Sequence, residues 1–340
     1  MRAILHLLTI ALAILLPLGA WASAADEPEK ATITAMGGIP INVSAWDISR
    51  GDFNTAVNEI SARIEFLEAM ISTYRPDSVV SQLNEGRRAE EIPPELAYLV
   101  FMSTAISQDT AGAFDITVKP LVNLWRTCRK EQRLPTDTER LAALNKVGYE
   151  HIVSGIDGSI TFTKPGVMLD LGGIAKGYFS DEAVTILRNA GATRCLVDCG
   201  GDITSWQADT AAGPFRVGIK NPLEKAELFA VLSVPTGAVV TSGDYERFYE
   251  IDGKRFCHIF DPRSGYPVEG VLSVTLVAPT GIQADAYATG VFVLGFDTGA
   301  QFVERLSDLE AVIIGRTADG ELKVFVSSGL ADSLEYLDAE

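Results

Sequence analysis

Apolar positions along the chain change their period several times, and each change marks an element. Phe53, Val57, Ile60, Ile64, Leu67 and Ile71 recur at alternating spacings of four and three, which predicts an amphipathic helix over 53–71. Tyr74-Arg75-Pro76-Asp77-Ser78 breaks that pattern. Pro93-Pro94 opens a second predicted helix, running to about Asp109. A short helix is expected at 118–125 and a polar one near 136–146. Upstream, two short extended segments are expected near 32–36 and 40–46, after a polar tail at 26–30. Ile152–Thr163 reads as a hairpin around Asp157-Gly158, and Val167–Leu171 as a strand. Gly172-Gly173 then turns the chain into a helix from Ile174 to about Asn189. From 194 to 278 the apolar runs are short and bounded by Gly, Pro or Asp-Gly, so they read as strands. Helices return near 284–294 and 299–307, and a last hairpin turns at Asp319-Gly320. Helices and strands are segregated rather than alternating. That predicts α+β architecture with largely antiparallel sheets and packed helices, not a doubly wound parallel sheet.

The first residues follow a different pattern. Arg2 precedes an apolar run from Ile4 to Leu18, and Ala22-Ser23-Ala24 supplies a small-x-small cleavage site. Residues 1–24 are expected to be a secretory signal peptide, removed before Ala25. The run is short for a bilayer span. No cysteine follows it, so a lipoprotein anchor is not supported. The expected product is an exported, periplasmic, soluble chain, with 25–340 as one domain. Net charge over the 340 residues is −17, and loss of Arg2 makes it one more negative. Such a chain repels polyanions, which argues against nucleic acid as a partner. Cys128, Cys195, Cys199 and Cys257 all lie beyond the leader. Cys195 and Cys199 stand about 13 Å apart in an extended run and cannot pair with each other. Buried free thiols and one structural disulfide both stay open.

Three constellations can carry chemistry. Leu169-Asp170-Leu171-Gly172-Gly173-Ile174-Ala175-Lys176-Gly177 ends a predicted strand, turns on two glycines and opens a helix. Free N–H groups at a helix start with a nearby lysine make a phosphate cradle. The spacing matches neither the P-loop nor the dinucleotide fingerprint, so a plain strand–turn–helix with a solvated lysine remains the alternative. His258, in His258-Ile259-Phe260-Asp261-Pro262-Arg263-Ser264-Gly265, is the only histidine beside a dense polar group, and imidazole is the usual proton carrier near neutral pH. A structural histidine is its alternative. Asp285 and Thr289 lie four apart on one helix face. They can bind a hard cation with a carbonyl and phosphate oxygens, or Asp285 can simply stabilise a helix start. Ala113-Phe114-Asp115 and Tyr74-Arg75-Pro76-Asp77-Ser78 are compatible with ligand walls or with ordinary packing.

Taken in order, these segments resemble the ApbE family, the FAD:protein FMN transferases. The matching runs are Ala35-Met36-Gly37, Ser72 to Ser78, Gly112 to Asp115, Leu169 to Gly177, Gly200-Gly201-Asp202, Thr241-Ser242-Gly243-Asp244, His258 to Gly265 and Ala284 to Thr289. The resemblance implies a T-fold-like, ApbE-like α+β domain that binds FAD and Mg²⁺. It implies transfer of FMN from FAD to a Thr or Ser hydroxyl of an exported acceptor, with release of AMP. By position, Gly173, Asp285 and Thr289 would hold the metal. Met36, Tyr74, Ala113, Phe114, Asp115, Asp170, Lys176 and Ile259 would line the FAD site, and His258 and Lys176 would assist the chemistry. The implied acceptor bears a Ser/Thr-Gly-Ala-Thr-type motif, as in FMN-bearing subunits of membrane redox complexes. A Mg²⁺-dependent FAD pyrophosphatase and a non-catalytic flavin-binding protein are the competing readings. Gly38 stands where the family commonly has Thr, and Ala288 where some members carry an acid. Ala190-Gly191-Ala192-Thr193 echoes the acceptor motif but reads as a helix C-cap turn, so no self-flavinylation is expected.

Overall fold

The structure is a computed structural model and describes residues 27–87, 91–155, 158–224, 226–245, 248–317 and 319–337. The expected leader at 1–24 and Asp157 of the expected hairpin turn lie outside the described residues. The chain opens with β1 (Glu29–Ala35), β2 (Ile39–Trp46), α1 (Arg50–Ile71), α2 (Val79–Asn84), α3 (Pro94–Asp109), α4 (Lys119–Lys130) and α5 (Asp137–Leu144). A small hairpin of β3 (Ile152–Ser154) and β4 (Ile160–Phe162) leads to α6 (Ala175–Asn189). Strands β5 (Arg194–Cys199), β6 (Asp202–Gln207), β7 (Phe215–Lys220), β8 (Leu228–Val234), β9 (Gly237–Gly243), β10 (Phe248–Ile251), β11 (Lys254–Cys257) and β12 (Val271–Ala278) follow. The end of the chain contributes α7 (Gly281–Leu294), α8 (Phe296–Val303), β13 (Glu310–Arg316), β14 (Leu322–Val326) and β15 (Leu334–Tyr336).

An eight-stranded sheet in the order β1-β2-β5-β6-β9-β12-β13-β14 forms the frame, and every ladder in it is antiparallel. Alternation along its strands divides two cores. Ala238 and Val240 of β9 and Ala311 and Ile313 of β13 face the helices α1, α6 and α7. Val239, Val312 and Ile314 face the opposite way, onto the three-stranded sheet β15-β8-β7 and its Val217, Ile219, Leu232 and Val234. A third, small cluster joins Trp125 of α4 to Ile251, Phe256 and Phe260 around the β10–β11 hairpin. The architecture is thus mixed helix and antiparallel sheet, as the pattern predicts. All four cysteines are buried free thiols.

Several boundaries differ from expectation for local reasons. Helix α1 starts before Phe53 because the Ser49 hydroxyl accepts the Asp52 N–H and caps it. Helix α4 runs on to Lys130, its last turn stabilised by Arg129 and Lys130 against the helix dipole. Strand β1 takes Glu29 and Lys30 from the expected polar tail by pairing them with Ala45 and Ser44. The expected strand Val167–Leu171 is not one. It is an extended segment with a single parallel bridge, Met168 to Val118. Its backbone is satisfied elsewhere: Asn84 accepts the Leu169 N–H at 2.6 Å and donates to the Leu169 carbonyl at 2.8 Å, and the Asp170 N–H donates to Ile116 O at 2.7 Å. Residues 190–193 form the predicted C-cap: the Gly191 N–H donates to Arg188 O and the Ala192 N–H to Leu187 O, with Gly191 at φ 99°.

Candidate active site

The site is built where α6 and α7 cross. Neither helix has a side chain at the crossing point, because Gly177 faces Gly281. A Cβ on Gly177 would lie 2.0 Å from the Gly281 carbonyl oxygen, and one on Gly281 would lie 2.4 Å from Gly177 O. The start of α7 is fixed from α6 by Asp181, whose carboxylate accepts the Gly281 N–H at 2.6 Å and the Ile282 N–H at 2.9 Å. Burial pushes Asp181 up to about 6, with those two N–H donors pulling the other way.

This crossing brings four predicted residues together. Asp285 is 3 % exposed, and its Oδ2 accepts the Gly177 N–H at 3.1 Å. Burial raises its pKa, and the neighbouring Lys176 ammonium opposes that rise. Lys176 forms an ion pair with Asp202, which is itself 2 % exposed at the start of β6. One turn beyond Asp285, the Thr289 hydroxyl lies 3.2 Å from where a Cβ on Gly173 would stand, and the Phe114 ring lies 3.4 Å from the same point. Gly173, Asp285 and Thr289 therefore share one corner, and a side chain at 173 would be tight against Thr289 and Phe114. A buried carboxylate, a hydroxyl and a peptide carbonyl are hard oxygen donors. They suit Mg²⁺, which needs one or two carboxylates and takes further oxygens from phosphate.

The other predicted residues fall into two groups. Tyr74 is 80 % exposed and lies 5.5 Å, ring centroid to Nζ, from Lys119. The Lys119 ammonium donates to Thr73 Oγ1 at 2.7 Å and to Asp170 Oδ2 at 3.0 Å, while Asp170 Oδ1 accepts the Gly172 N–H at 3.1 Å. Tyr74 and Asp170 are thus parts of one assembly. Met36 turns the β1–β2 hairpin with φ 50°, its N–H donating to Glu68 Oε2 at 3.1 Å. Gly38 in the same turn has φ 110°, which a threonine would adopt only under strain. Ala113 and Phe114 are buried, with the Phe114 ring against Gly173, and the Asp115 carboxylate is tied to Thr117 and to the Tyr149 backbone. It accepts the Thr117 N–H and hydroxyl at 2.7 and 2.6 Å and the Tyr149 N–H at 2.8 Å. Burial raises the Asp115 pKa.

His258 and Ile259 stand on a separate loop after β11, both half-buried. That loop is pinned from three sides. Arg140 donates to Ser264 O at 2.6 Å, the Trp125 indole N–H to Gly265 O at 3.0 Å, and Arg263 to Val293 O near the end of α7 at 3.3 Å. Arg263 is held in turn by Asp261 at 2.8 Å.

Sequence reasoning missed Lys119, Asp202 and Asp181. A signal existed for Lys119: a cation in the first turn of a helix opposes the dipole and calls for a reason. Asp202 sat inside the quoted Gly200-Gly201-Asp202 run without a role. Nothing local marks Asp181.

Comparison with known proteins supplies the family. The ApbE family profile matches residues 37–313. The FAD:protein FMN transferase of Escherichia coli K12 is 33 % identical over 256 residues, 73 % of each chain. That of Vibrio cholerae serotype O1 is 33 % identical over 285 residues, 82 % of this chain and 84 % of its own. Among solved structures, the ApbE protein of Thermotoga maritima superposes with a TM-score of 0.79 at 30 % identity, covering 89 % of this chain and 98 % of its own. The apo flavinyl transferase ApbE of Pseudomonas stutzeri gives 0.77 at 27 % identity, covering 90 % and 96 %. The chain belongs to the ApbE family.

Proposed function

We propose that this flavin transferase moves FMN from FAD to a Ser or Thr hydroxyl of an exported acceptor protein, using Mg²⁺ and releasing AMP. The observation that supports it is the shared corner of Gly173, Asp285 and Thr289 beside the Lys176 ammonium. Pyrophosphate cleavage needs positive charge at the transferring phosphoryl group and at the leaving phosphate. Asp285, Thr289 and the Gly173 carbonyl would hold the ion, which when bound neutralises phosphate oxygens. Lys176, oriented by Asp202, adds a fixed positive charge at the start of α6. Tyr74 offers a flat aromatic face for the isoalloxazine or adenine ring. The acceptor oxygen attacks the FMN phosphorus, the bond from that phosphorus to the AMP phosphate breaks, and His258 takes the hydroxyl proton. Covalent FMN and AMP are the products. Export of the chain after loss of residues 1–24 would place it with such acceptors, of which flavin-bearing subunits of membrane redox complexes are the expected class.

Purified protein, FAD, Mg²⁺ and an acceptor bearing the Ser/Thr-Gly-Ala-Thr-type motif should yield flavin-labelled acceptor on a denaturing gel. Free FMN and AMP without label would instead identify water as the nucleophile. His258→Ala should abolish labelling while FAD binding survives; an unchanged transfer rate would remove His258 from the mechanism.

A further inference from the structure

We infer that Lys119 is a positioning residue for the flavin site: its ammonium locks Tyr74 and Asp170 into one wall and presents the open face of the Tyr74 ring to a planar aromatic ligand. This inference rests on the flavin-transferase reading above.

Three segments remote in sequence meet on one atom. Lys119 Nζ donates to Thr73 Oγ1 at 2.7 Å and to Asp170 Oδ2 at 3.0 Å, and it stands 5.5 Å from the centroid of the Tyr74 ring. The Lys119 side chain is only 5 % exposed. Lysine is almost never this buried unless paired, and the first turn of α4 is the helix position least suited to a cation. Burial and dipole both oppose it, so its benefit lies in what it holds. Tyr74 is the opposite case. Its ring is 80 % exposed, and its backbone N–H reaches only the Ser72 hydroxyl, at 3.3 Å. With one face against the ammonium, the ring has fewer orientations to lose when a flavin stacks on the other.

The anchor also links the two ends of the site. Asp170 divides its carboxylate between Lys119 and the Gly172 N–H. Gly172 adjoins Gly173, which packs against Thr289. One unbroken series of contacts therefore runs from the Tyr74 ring to the oxygen-donor corner. Lys119 sets the distance between the stacking surface and the phosphate end.

The test uses the full chain and FAD titrated by flavin fluorescence, with transfer kinetics beside it. Lys119→Met should raise the FAD dissociation constant about tenfold. At saturating FAD, kcat should change far less. Tyr74→Ala should weaken FAD similarly, and Lys119→Met should add little in that background. Lys119→Arg should restore part of the affinity. A merely structural role would lower the active fraction and leave the dissociation constant alone. An unchanged constant in folded Lys119→Met, or effects of the two substitutions that simply multiply, would overturn the inference. If Lys119→Met fails to fold, Thr73→Val decides, since it removes one anchor from a half-buried position. A raised constant supports the inference and an unchanged one defeats it. Wild-type protein that binds no FAD would refute the transferase reading and the inference together. Normal wild-type binding with an unaffected variant refutes the inference alone.

Discussion

Replacing Gly177 by alanine places one methyl group between α6 and α7. The new carbon would sit 2.0 Å from Gly281 O and 2.3 Å from the Gly281 carbonyl carbon. Carbon–oxygen contacts settle near 3.3 Å or more, so the helices must separate by roughly 1 Å. Both obstructing atoms are backbone, and no side chain can rotate away. Overpacking of this kind costs about 1–3 kcal/mol, and a backbone clash belongs at the upper end. Alanine's better helix propensity offsets about 1 kcal/mol of that. The expected net loss is about 2 kcal/mol, or about 3 °C in Tm for a domain of this length. The same shift disturbs the Gly177 N–H to Asp285 bond of 3.1 Å, so the Mg²⁺ requirement for transfer should rise. Gly51→Ala is the control. It lies in the first turn of α1, where a Cβ would meet only Ser49 Oγ at 3.8 Å. Its stability should be unchanged or up to about 1 kcal/mol higher. Urea and thermal unfolding followed by circular dichroism read both variants. A Tm for Gly177→Ala at or above wild type would refute the reasoning.

Three further outcomes are expected. Thr289→Val, nearly isosteric, should raise the Mg²⁺ concentration for half-maximal transfer about tenfold with Tm unchanged, and chelation of the wild type should stop transfer until Mg²⁺ is restored; equal Mg²⁺ curves would exclude Thr289 as a ligand. Asp181 has its folded pKa raised to about 6, so the folded state holds a proton that the unfolded state has already lost. Stability should therefore be highest below the unfolded carboxylate value and fall as pH rises through about 6, by on the order of 3 kcal/mol at most from this group. Asp181→Asn should remove that fall, and parallel stability–pH curves would contradict it. Burial holds the Cys195 and Cys199 thiols up at about 12 and Cys257 at about 11, and raises Cys128. A thiol reagent at pH 8 should label none of the four in the native protein and all four in denaturant; rapid native labelling would show the thiols to be accessible.

Elements with a long period were legible in the sequence. Helix α1 buries one face, so its apolar spacing reports its conformation directly, while α3 was legible from the prolines that open it. The antiparallel sheet was legible as a class, because short runs ended by Gly, Pro or Asp-Gly leave little else to form. Val167–Leu171 misled because an apolar run records burial, not the partner of its backbone; here Asn84, 85 residues earlier, stands in for a neighbouring strand. That Asp285 and Thr289 share a face was legible from their spacing of four, whereas the approach of Gly173 to Thr289 depends on how α6 and α7 cross and has no local signal. Lys119 was not legible either, since its partners lie 46 and 51 residues away and only the folded chain brings them to it. Asp115 is a second case: one oxygen closes its own turn onto Thr117, and the other is taken by the Tyr149 N–H, 34 residues away.

Helix α7 is held at both ends, by Asp181 at its first N–H groups and by Arg263 near its last turn. Its 14 residues span about 20 Å. Asp285 and Thr289 occupy one part of that length, and the loop bearing His258 is fastened to the other. The helix thus behaves as a beam clamped at two supports. Substitutions beneath its middle, at Ala288 or Val291, where both side chains are fully buried, should therefore detune both ends at once while touching no group that reacts.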